Sequence, residues 1–484
     1  MKKARFAEAI AVSDRWKYIA PPGLLWSQYR LGLYGKVSGT QIYQDHWRGL
    51  FARAVSYAAC ANHEKASETA NVLAERFGDR KDFFLLANAL AAFMPEYALE
   101  LIENRPAPLI LRVALLQKNK RYDESDQLLR FAFGEGQQRD NPELYLYLSN
   151  AWSWSSPNKL DYLNSYLQSF RLNPVTLVDN SKTFSLRHFK VFSDDIQKVK
   201  NGPLVSILMT TYENESHVDY AISSILEQSW QNIELIIVDD ASTDSTVQLL
   251  TAWVIRDDRV RVIRLKQNVG TYVAKNIGLR YAQGEFVTCH DSDDWSHPLK
   301  IERQVAPLLY NKKLVGTTSN WVRMQDDGTY FAMQVYPLQR LNSSSLLFRR
   351  KEVLETTGAW DCVRTGADSE FAARLKLVFG RKAVLAIRQP LALGAHRPGS
   401  LMTDAHTGYT AGRVPPDRLD YWESWTWWQI NELRAKRKPR MPSMTEARAF
   451  KAPEAIVVPQ ESIEQCMREA ALYSPMGVRE YAVD

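Results

Sequence analysis

Three carboxylates stand within four residues at Asp291, Asp293 and Asp294, and acids this close repel one another unless a cation or a basic partner lies between them. Together with the oxygens of a diphosphate they make the ligand set of Mg2+ or Mn2+, hard ions that keep substrate oxygens in their shell. An Asp-x-Asp alone often arises by chance on a solvated loop. This one directly follows the apolar run Phe286–Cys289, which gives it weight as a site. Three other polar clusters follow apolar runs in the same way. They are Thr210-Thr211-Tyr212-Glu213, Asp239-Asp240-Ala241-Ser242, and Asn268-Val269-Gly270 with Lys275-Asn276 behind it.

The elements that must hold these clusters can be read from the period of the apolar residues. Val205–Met209, Leu235–Val238, Val260–Ile263 and Phe286–Cys289 are short apolar strands. Between them lie helix faces: Ala221, Ile222, Ile225 and Leu226; then Val247, Leu250 and Val254; then Ala274, Ile277 and Tyr281. Ser242-Thr243-Asp244 supplies N-cap chemistry for the second helix, and Gly284 marks the turn before the fourth strand. Strands alternating with helices predict parallel βαβ units around a buried sheet. Ligands of such sheets bind at the carboxyl ends of the strands, where the polar clusters fall.

The ordered segments VSILMTTYENE, ELIIVDDASTDST, NVGTYVAKNIGLRYAQGEF and HDSDDWSHPLKIERQ resemble the family 2 glycosyltransferases of α/β GT-A fold, inverting enzymes that use nucleotide-diphosphate sugars. The resemblance spans roughly 200 residues, and several motifs in order are far more specific than one Asp-x-Asp. It implies that Thr210 and Tyr212, with Thr211 and Glu213 in the same loop, line the base and ribose pocket, although Glu213 stands where Asn is frequent. It makes Asp240 the acid that hydrogen-bonds the nucleobase, with Asp239 beside it. Asn268, Lys275 and Asn276 fall on the donor side, with Lys275 where Arg is usual, a point charge in place of a bidentate fork. Asp291 and Asp293 become the metal pair, Asp293 as the direct ligand, with Ser292 between them against the donor.

Further on, Gly366-Ala367-Asp368-Ser369-Glu370-Phe371 through Arg374-Leu375 resembles the family's E-D-x-x-F/L-x-x-R-L motif. Asp368 is thereby the expected general base, taking the proton of the acceptor hydroxyl, and Glu370 is the fallback. Ala367 departs from the acid common at that position. The competing reading has Asp368 capping a helix over Ser369–Leu377. Ala395-His396-Arg397-Pro398-Gly399-Ser400 resembles R-x-H-x-x-S, which makes His396 either a third metal ligand or a structural imidazole. His290 has a weaker claim, because the family usually has an apolar residue there.

The implied activity is metal-dependent (Mn2+ or Mg2+), inverting transfer from a nucleotide-diphosphate donor, a UDP-sugar in the first instance. The acceptor would be a hydroxyl on a glycan or glycosylated carrier, in bacterial polysaccharide or surface glycan synthesis. The rival from another class is a helical-repeat interaction protein that binds donor without turnover, for which Lys275 and Ala367 are the only support. A nucleotide-cofactor dehydrogenase is disfavoured, since no G-x-G-x-x-G follows the first strand.

The rest of the 484-residue chain is divided at residues 1–40, 41–180, 203–405 and 406–484. A turn at Pro21-Pro22-Gly23 interrupts the first segment. Residues 41–180 are Ala- and Leu-rich with helical spacing: Val72, Leu73, Arg76 and Phe77 end at Gly78, and Tyr122–Phe133 and Leu160–Phe170 look alike. Their starts lie 38 residues apart against ~34 for a tetratricopeptide repeat, so a loose helical-hairpin array and an ordinary helical domain both remain open. Because every transferase motif lies after Gly202, the catalytic segment is expected to fold without the helical region, which would recruit a long acceptor; the competing reading has the helical region only buttress the sheet.

In the last segment Trp422, Trp425 and Trp428 recur every three residues beside Tyr421 and Trp427, ahead of Arg434, Lys436, Arg437, Lys438 and Arg440. The aromatics either pack on the catalytic domain or meet an anionic membrane surface. The final 40 or so residues read as a partly extended tail ending in a short helix. A net charge of +6 and a pI near 8.9 do not argue for nucleic acid. The four cysteines are scattered, without zinc or disulfide spacing. No signal peptide or membrane-length apolar run stands out at a mean hydropathy of −0.34. The expected location is the cytoplasm, with peripheral contact at the inner face of the membrane as its variant.

Overall fold

The computed structural model of the protein describes residues 3–12, 22–40, 46–151, 158–179, 182–191, 196–404, 407–409, 412–474 and 477–479. Pro21 and the segment limits expected at 1, 41, 180, 405, 406 and 484 lie outside the described residues. No helix among those described is long and apolar enough to cross a membrane.

One mixed sheet organises the chain after Gly202. Along the chain its strands are β1 (Val205–Thr211), β2 (Ile233–Asp239), β3 (Val260–Arg264), β4 (Phe286–Cys289) and β5 (Trp295–Ser296). They continue with β6 (Gly316–Met324), β7 (Leu347–Arg349), β8 (Val384–Ala395), β9 (Ala471–Ser474) and β10 (Gly477–Arg479). Across the sheet the order is β10-β9-β3-β2-β1-β4-β7-β6-β8-β5. The four expected strands, β1 to β4, are parallel. Beyond β4, β7 runs antiparallel between β4 and β6, and β8 lies parallel to β6.

All seven residues of β2 are buried, as a strand covered on both faces requires. On one face Ile236 and Val238 pack with Val273, Ala274 and Ile277 of the helix Thr271–Arg280. On the other, Leu235 and Ile237 meet Ile222 and Ile225 of Val218–Leu226, and Leu250 and Val254 of Thr246–Arg256. The N-cap of Thr246–Arg256 is Ser245, without a side-chain cap bond, and Asp244 just before it accepts from the Thr246 N–H through Oδ1 at 3.0 Å.

The helical region is an array of antiparallel pairs. Trp47–Ala59 packs on His63–Phe77, Leu109–Lys118 on Tyr122–Gly134, and Glu143–Ala151 on Asn158–Ser169. It does not close its own core. The cluster holding Leu86, Leu111, Leu144 and Tyr166 continues without a break into Trp295, Leu299, Val322, Met324, Leu391 and Leu393 of the sheet half. Hydrogen bonds cross the junction: Tyr147 Oη donates to the Val335 carbonyl at 2.6 Å, and the Leu338 N–H donates to Glu143 Oε2 at 2.7 Å. This continuity favours the reading in which the helical region buttresses the sheet. The two halves share one apolar core.

Of the two readings of the Trp-rich helix the structure takes packing on the protein, and one further expectation changes. The Trp-rich helix, Pro416–Arg434, turns its aromatics inward: Tyr421, Trp425 and Trp428 are buried, and Trp422 Nε1 donates to the Leu31 carbonyl at 2.6 Å. Its other neighbour is the helix Lys3–Val12, so the first and last segments form one layer. The extended tail is no tail. Ile456, Val458, Ile463 and Cys466 enter the core, and after the helix Gln460–Glu469 the chain returns as β9, antiparallel on the edge of β3.

Candidate active site

The carboxyl ends of β1, β2 and β4 open into a cleft of about 480 Å3, whose far wall comes from β6 and from the loops after β8. Two of its loops carry non-glycine residues in the left-handed region, Glu213 at φ 43° and Ala241 at φ 70°, a strain that persists where surrounding structure holds it.

Asp240 lies just beyond the end of β2. Its Oδ1 accepts from the Val269 N–H at 2.8 Å and its Oδ2 from the Gly270 N–H at 2.7 Å. Gly270, at φ 80°, makes the turn that aims both N–H groups at one carboxylate. Burial pushes Asp240 up to about 6, against the pull of those N–H groups and of Arg364. Arg364 donates to Asn268 Oδ1 at 2.7 Å, fixing the next loop. Thr210 and Thr271 hydroxyls meet at 2.7 Å, and Tyr212 stands at the mouth, 47% exposed.

Deeper in, the acid cluster has its basic partners. Lys275 Nζ lies 3.4 Å from Asp291 Oδ1, and Arg397 Nε lies 3.0 Å from Asp293 Oδ2. Burial raises Asp291, but Lys275 and the Ser344 hydroxyl outweigh it and hold the carboxyl below its ordinary value. Burial likewise opposes the Lys275 charge, which Asp291 nonetheless holds above the lysine range. Asp293 is pushed up by burial beyond what Arg397 offsets, and Asp294 is raised further by burial, Asp293 and Asp291. The crowding that raises Asp293 and Asp294 is of the kind a nearby cation relieves.

Asp291 and Asp293 both line the cleft and fit such an ion as hard oxygen donors. His396 does not: its ring stacks on Phe331 at 4.0 Å and 9°, outside the lining, with Nδ1 buried and unpartnered. Among the described residues no group of three His, Cys, Asp or Glu side chains could hold a metal.

Asp368 faces the same cleft from the first turn of the helix Ala367–Val378, whose N-cap is Gly366 and not Asp368. Its Oδ1 accepts from Tyr272 Oη at 2.9 Å and its Oδ2 from Ser343 Oγ at 2.6 Å. The carboxylate is thereby oriented by two side chains from separate elements. Glu370 is withdrawn from the chemistry. It is fully buried in an ion pair with Arg374 at 2.8 Å, and Gln429 donates to it at 2.9 Å.

Of the expected site residues, Thr210, Thr211, Tyr212, Asp240, Asn268, Lys275, Asp291, Ser292, Asp293 and Asp368 come together in the cleft. Glu213, Asp239, Asn276 and His396 do not line it. Glu213 accepts from the Thr243 hydroxyl, and Asp239 Oδ1 accepts from the Ser242 N–H. Asn276 exchanges hydrogen bonds with both backbone groups of Trp360. His290 is a buried strut between the Asp294 carbonyl and the Ser296 hydroxyl. Sequence reasoning missed Tyr272, Arg364 and Arg397 as site residues, although each sits inside or beside a quoted motif. Trp321, Arg323 and Ser343 carry no such signal.

Residues 206–367 match the family model "Glycosyl transferase family 2". An uncharacterized glycosyltransferase of Haemophilus influenzae is 42% identical over 121 residues, 25% of this chain and 48% of its own length. The putative teichuronic acid biosynthesis glycosyltransferase TuaG of Bacillus subtilis is 35% identical over 127 residues, 26% of this chain and 50% of its own. The chain thus spans about half the length of these curated relatives. Among solved structures, S. aureus TarS 1-349 in complex with UDP-GlcNAc aligns at 18% identity and TM-score 0.33, over 48% of this chain and 65% of that one.

Proposed function

We propose, from the match of residues 206–367 to the glycosyl transferase family 2 model, that the protein is an inverting, metal-dependent glycosyltransferase. Its donor is a nucleotide-diphosphate sugar, with a UDP-sugar first among candidates, and its acceptor is a hydroxyl of a glycan or glycosylated carrier. The relative named for teichuronic acid biosynthesis supports a bacterial glycan as product. One observation carries the reading. A carboxylate oriented by Tyr272 and Ser343 shares a cleft with an acid pair flanked by Lys275 and Arg397.

Tyr212, Asp240 and Asn268 hold the nucleoside at the mouth, which directs the diphosphate toward Lys275 and Arg397. Asp291 and Asp293 would hold Mn2+ or Mg2+, which when bound neutralises diphosphate charge and eases its departure. Asp368 accepts the proton of the acceptor hydroxyl as the new C–O bond forms at the anomeric carbon. The bond from that carbon to the diphosphate oxygen breaks on the opposite face, and the nucleotide diphosphate leaves with the electron pair. Attack opposite the leaving group inverts the anomeric centre. For location we propose the cytoplasm, with peripheral contact to an anionic membrane face through the exposed Lys436, Lys438 and Arg440.

The test is transfer from a panel of nucleotide sugars by metal-loaded protein, by EDTA-stripped protein and by Asp368→Asn. Stripped protein is expected to lose turnover and regain it with Mn2+. Asp368→Asn is expected to keep nucleotide affinity while the chemical step falls ~10²–10⁴-fold. Undiminished turnover by the variant would reject Asp368 as the base.

A further inference from the structure

The cleft is lined by five basic side chains, and four of them are committed within the protein. Lys275 pairs with Asp291, Arg397 with Asp293, Arg364 with Asn268, and Arg418 with the carbonyls of Thr407 and Leu401. Arg323 has no hydrogen bond and no ion pair among the described residues. The acids around it are already engaged: Asp294 by the Ala395 N–H, and Asp368 by Tyr272 and Ser343. Burial pulls its guanidinium below the ordinary arginine value, which the surrounding acids only partly oppose. Its charge feels nearby carboxylates, but its N–H groups have no hydrogen-bond acceptor among the described residues, which a bound anion would supply.

Its mounting leaves it ready for one. Trp321 and Arg323 alternate on β6 with the buried Val322 and Met324, so both project into the cleft. The guanidinium lies 4.3 Å from the centre of the Trp321 ring. Stacking of this kind fixes the guanidinium plane without using its N–H groups, which stay available for a bidentate anion. On β8, Gly394 sits opposite Arg323, and a Cβ there would come within 2.7 Å of the Trp321 ring. Gly394 makes the space into which the indole fits.

The position favours the acceptor over the donor. Lys275 and Arg397 pair with the acids where the diphosphate is directed, whereas Arg323, on β6 of the far wall and unpaired, is also near the proposed base Asp368. The ladder partner of Arg323 is Phe331, and Lys118 Nζ of the helical half lies 5.7 Å from that ring, itself with no hydrogen bond or ion pair among the described residues. Resting on the transferase reading, we propose that Arg323, stacked on Trp321, is an acceptor subsite for an anionic glycan bearing a phosphate or carboxylate near its reacting hydroxyl.

Calorimetry on the full chain tests this with UDP and three probes: a glycerol-phosphate oligomer, an oligogalacturonate and neutral maltohexaose. The wild type is expected to bind at least one anionic probe, more weakly at high salt, and to prefer it to maltohexaose. Which anionic probe binds distinguishes phosphodiester from carboxylate. Arg323→Gln is expected to lose about tenfold or more in affinity for that probe with UDP affinity unchanged, and Arg323→Lys to lose less. Equal anionic-probe affinity in wild type and Arg323→Gln overturns the subsite, as does a wild type that binds neither anion. A parallel fall in UDP affinity overturns it too, by assigning Arg323 to the donor. Melting curves of both variants exclude misfolding as the cause of a loss. Failure of the wild type to bind any nucleotide diphosphate would instead sink the transferase reading, with the anion results scored on their own.

Discussion

Asp240 puts recognition and stability in opposition within one side chain. Its folded value of about 6 lies above the ~3.9 of an unfolded aspartate, so the folded chain holds the proton more tightly. The stability this confers is complete below pH ~4 and is lost as pH rises through about 6. The two N–H groups of Val269 and Gly270, however, are best satisfied by the ionised form. UDP affinity is therefore expected to decline as pH falls below about 6, and Asp240→Asn to bind weakly with little pH dependence, since its NH2 would face an N–H donor. A wild type whose UDP affinity is level across that range would put base recognition elsewhere. At this scale the sequence marks acids and amides at strand ends but does not separate those that face the cleft from those that brace it. Asp240 and Asn276 both fall in motifs, yet Asn276 is consumed by Trp360 and only Asp240 lines the cleft. Which way a side chain points depends on its neighbours in space, and Trp360 is 84 residues from Asn276.

The helix Ala367–Val378 shows how one element divides such roles. Asp368 in its first turn faces the cleft, and Glu370 points into the core against Arg374. Neutralising Glu370 alone strands a buried guanidinium, so Glu370→Gln is expected to cost ~3–5 kcal/mol of stability, read by denaturant unfolding. The fraction that remains folded should still carry out the chemical step. A stable Glu370→Gln with abolished turnover would return the base to Glu370. The elements β1 to β4 and their helices were legible because their apolar residues keep a clean period and their ends carry Gly, Ser and Asp. The pairings of β6, β7 and β8 were not. Their register depends on a mixed sheet whose partners lie far apart in sequence, and β8 carries register shifts between Ile387 and Ala392. The Trp-rich helix was legible as a helix, but its aromatic face looks the same in sequence whether a core or a lipid surface covers it.

Across the whole molecule the decisive fact is the core shared between the helical array and the sheet. Removing everything before Ser181 would uncover Trp295, Leu299, Val322, Met324, Leu391 and Leu393 together, an apolar patch of the kind that drives aggregation. Such a truncation is expected to be insoluble, and the intact protein to melt in one transition by calorimetry. A soluble truncated protein that binds UDP would show that the array only rests on the sheet. The edge pairing of β9 on β3 carries a different consequence. Tyr473 lies opposite Val262 and Leu472 opposite Ile263, so a parallel core built early in the chain closes its open side with residues about 200 positions later. During synthesis β3 must emerge, and β1, β2 and β4 can assemble beside it, while its outer row of N–H and C=O groups still has no strand to meet. The nascent chain is therefore exposed to strand-to-strand misassociation on the ribosome until Ala471–Ser474 has left the exit tunnel, which makes this edge a natural point for chaperone protection.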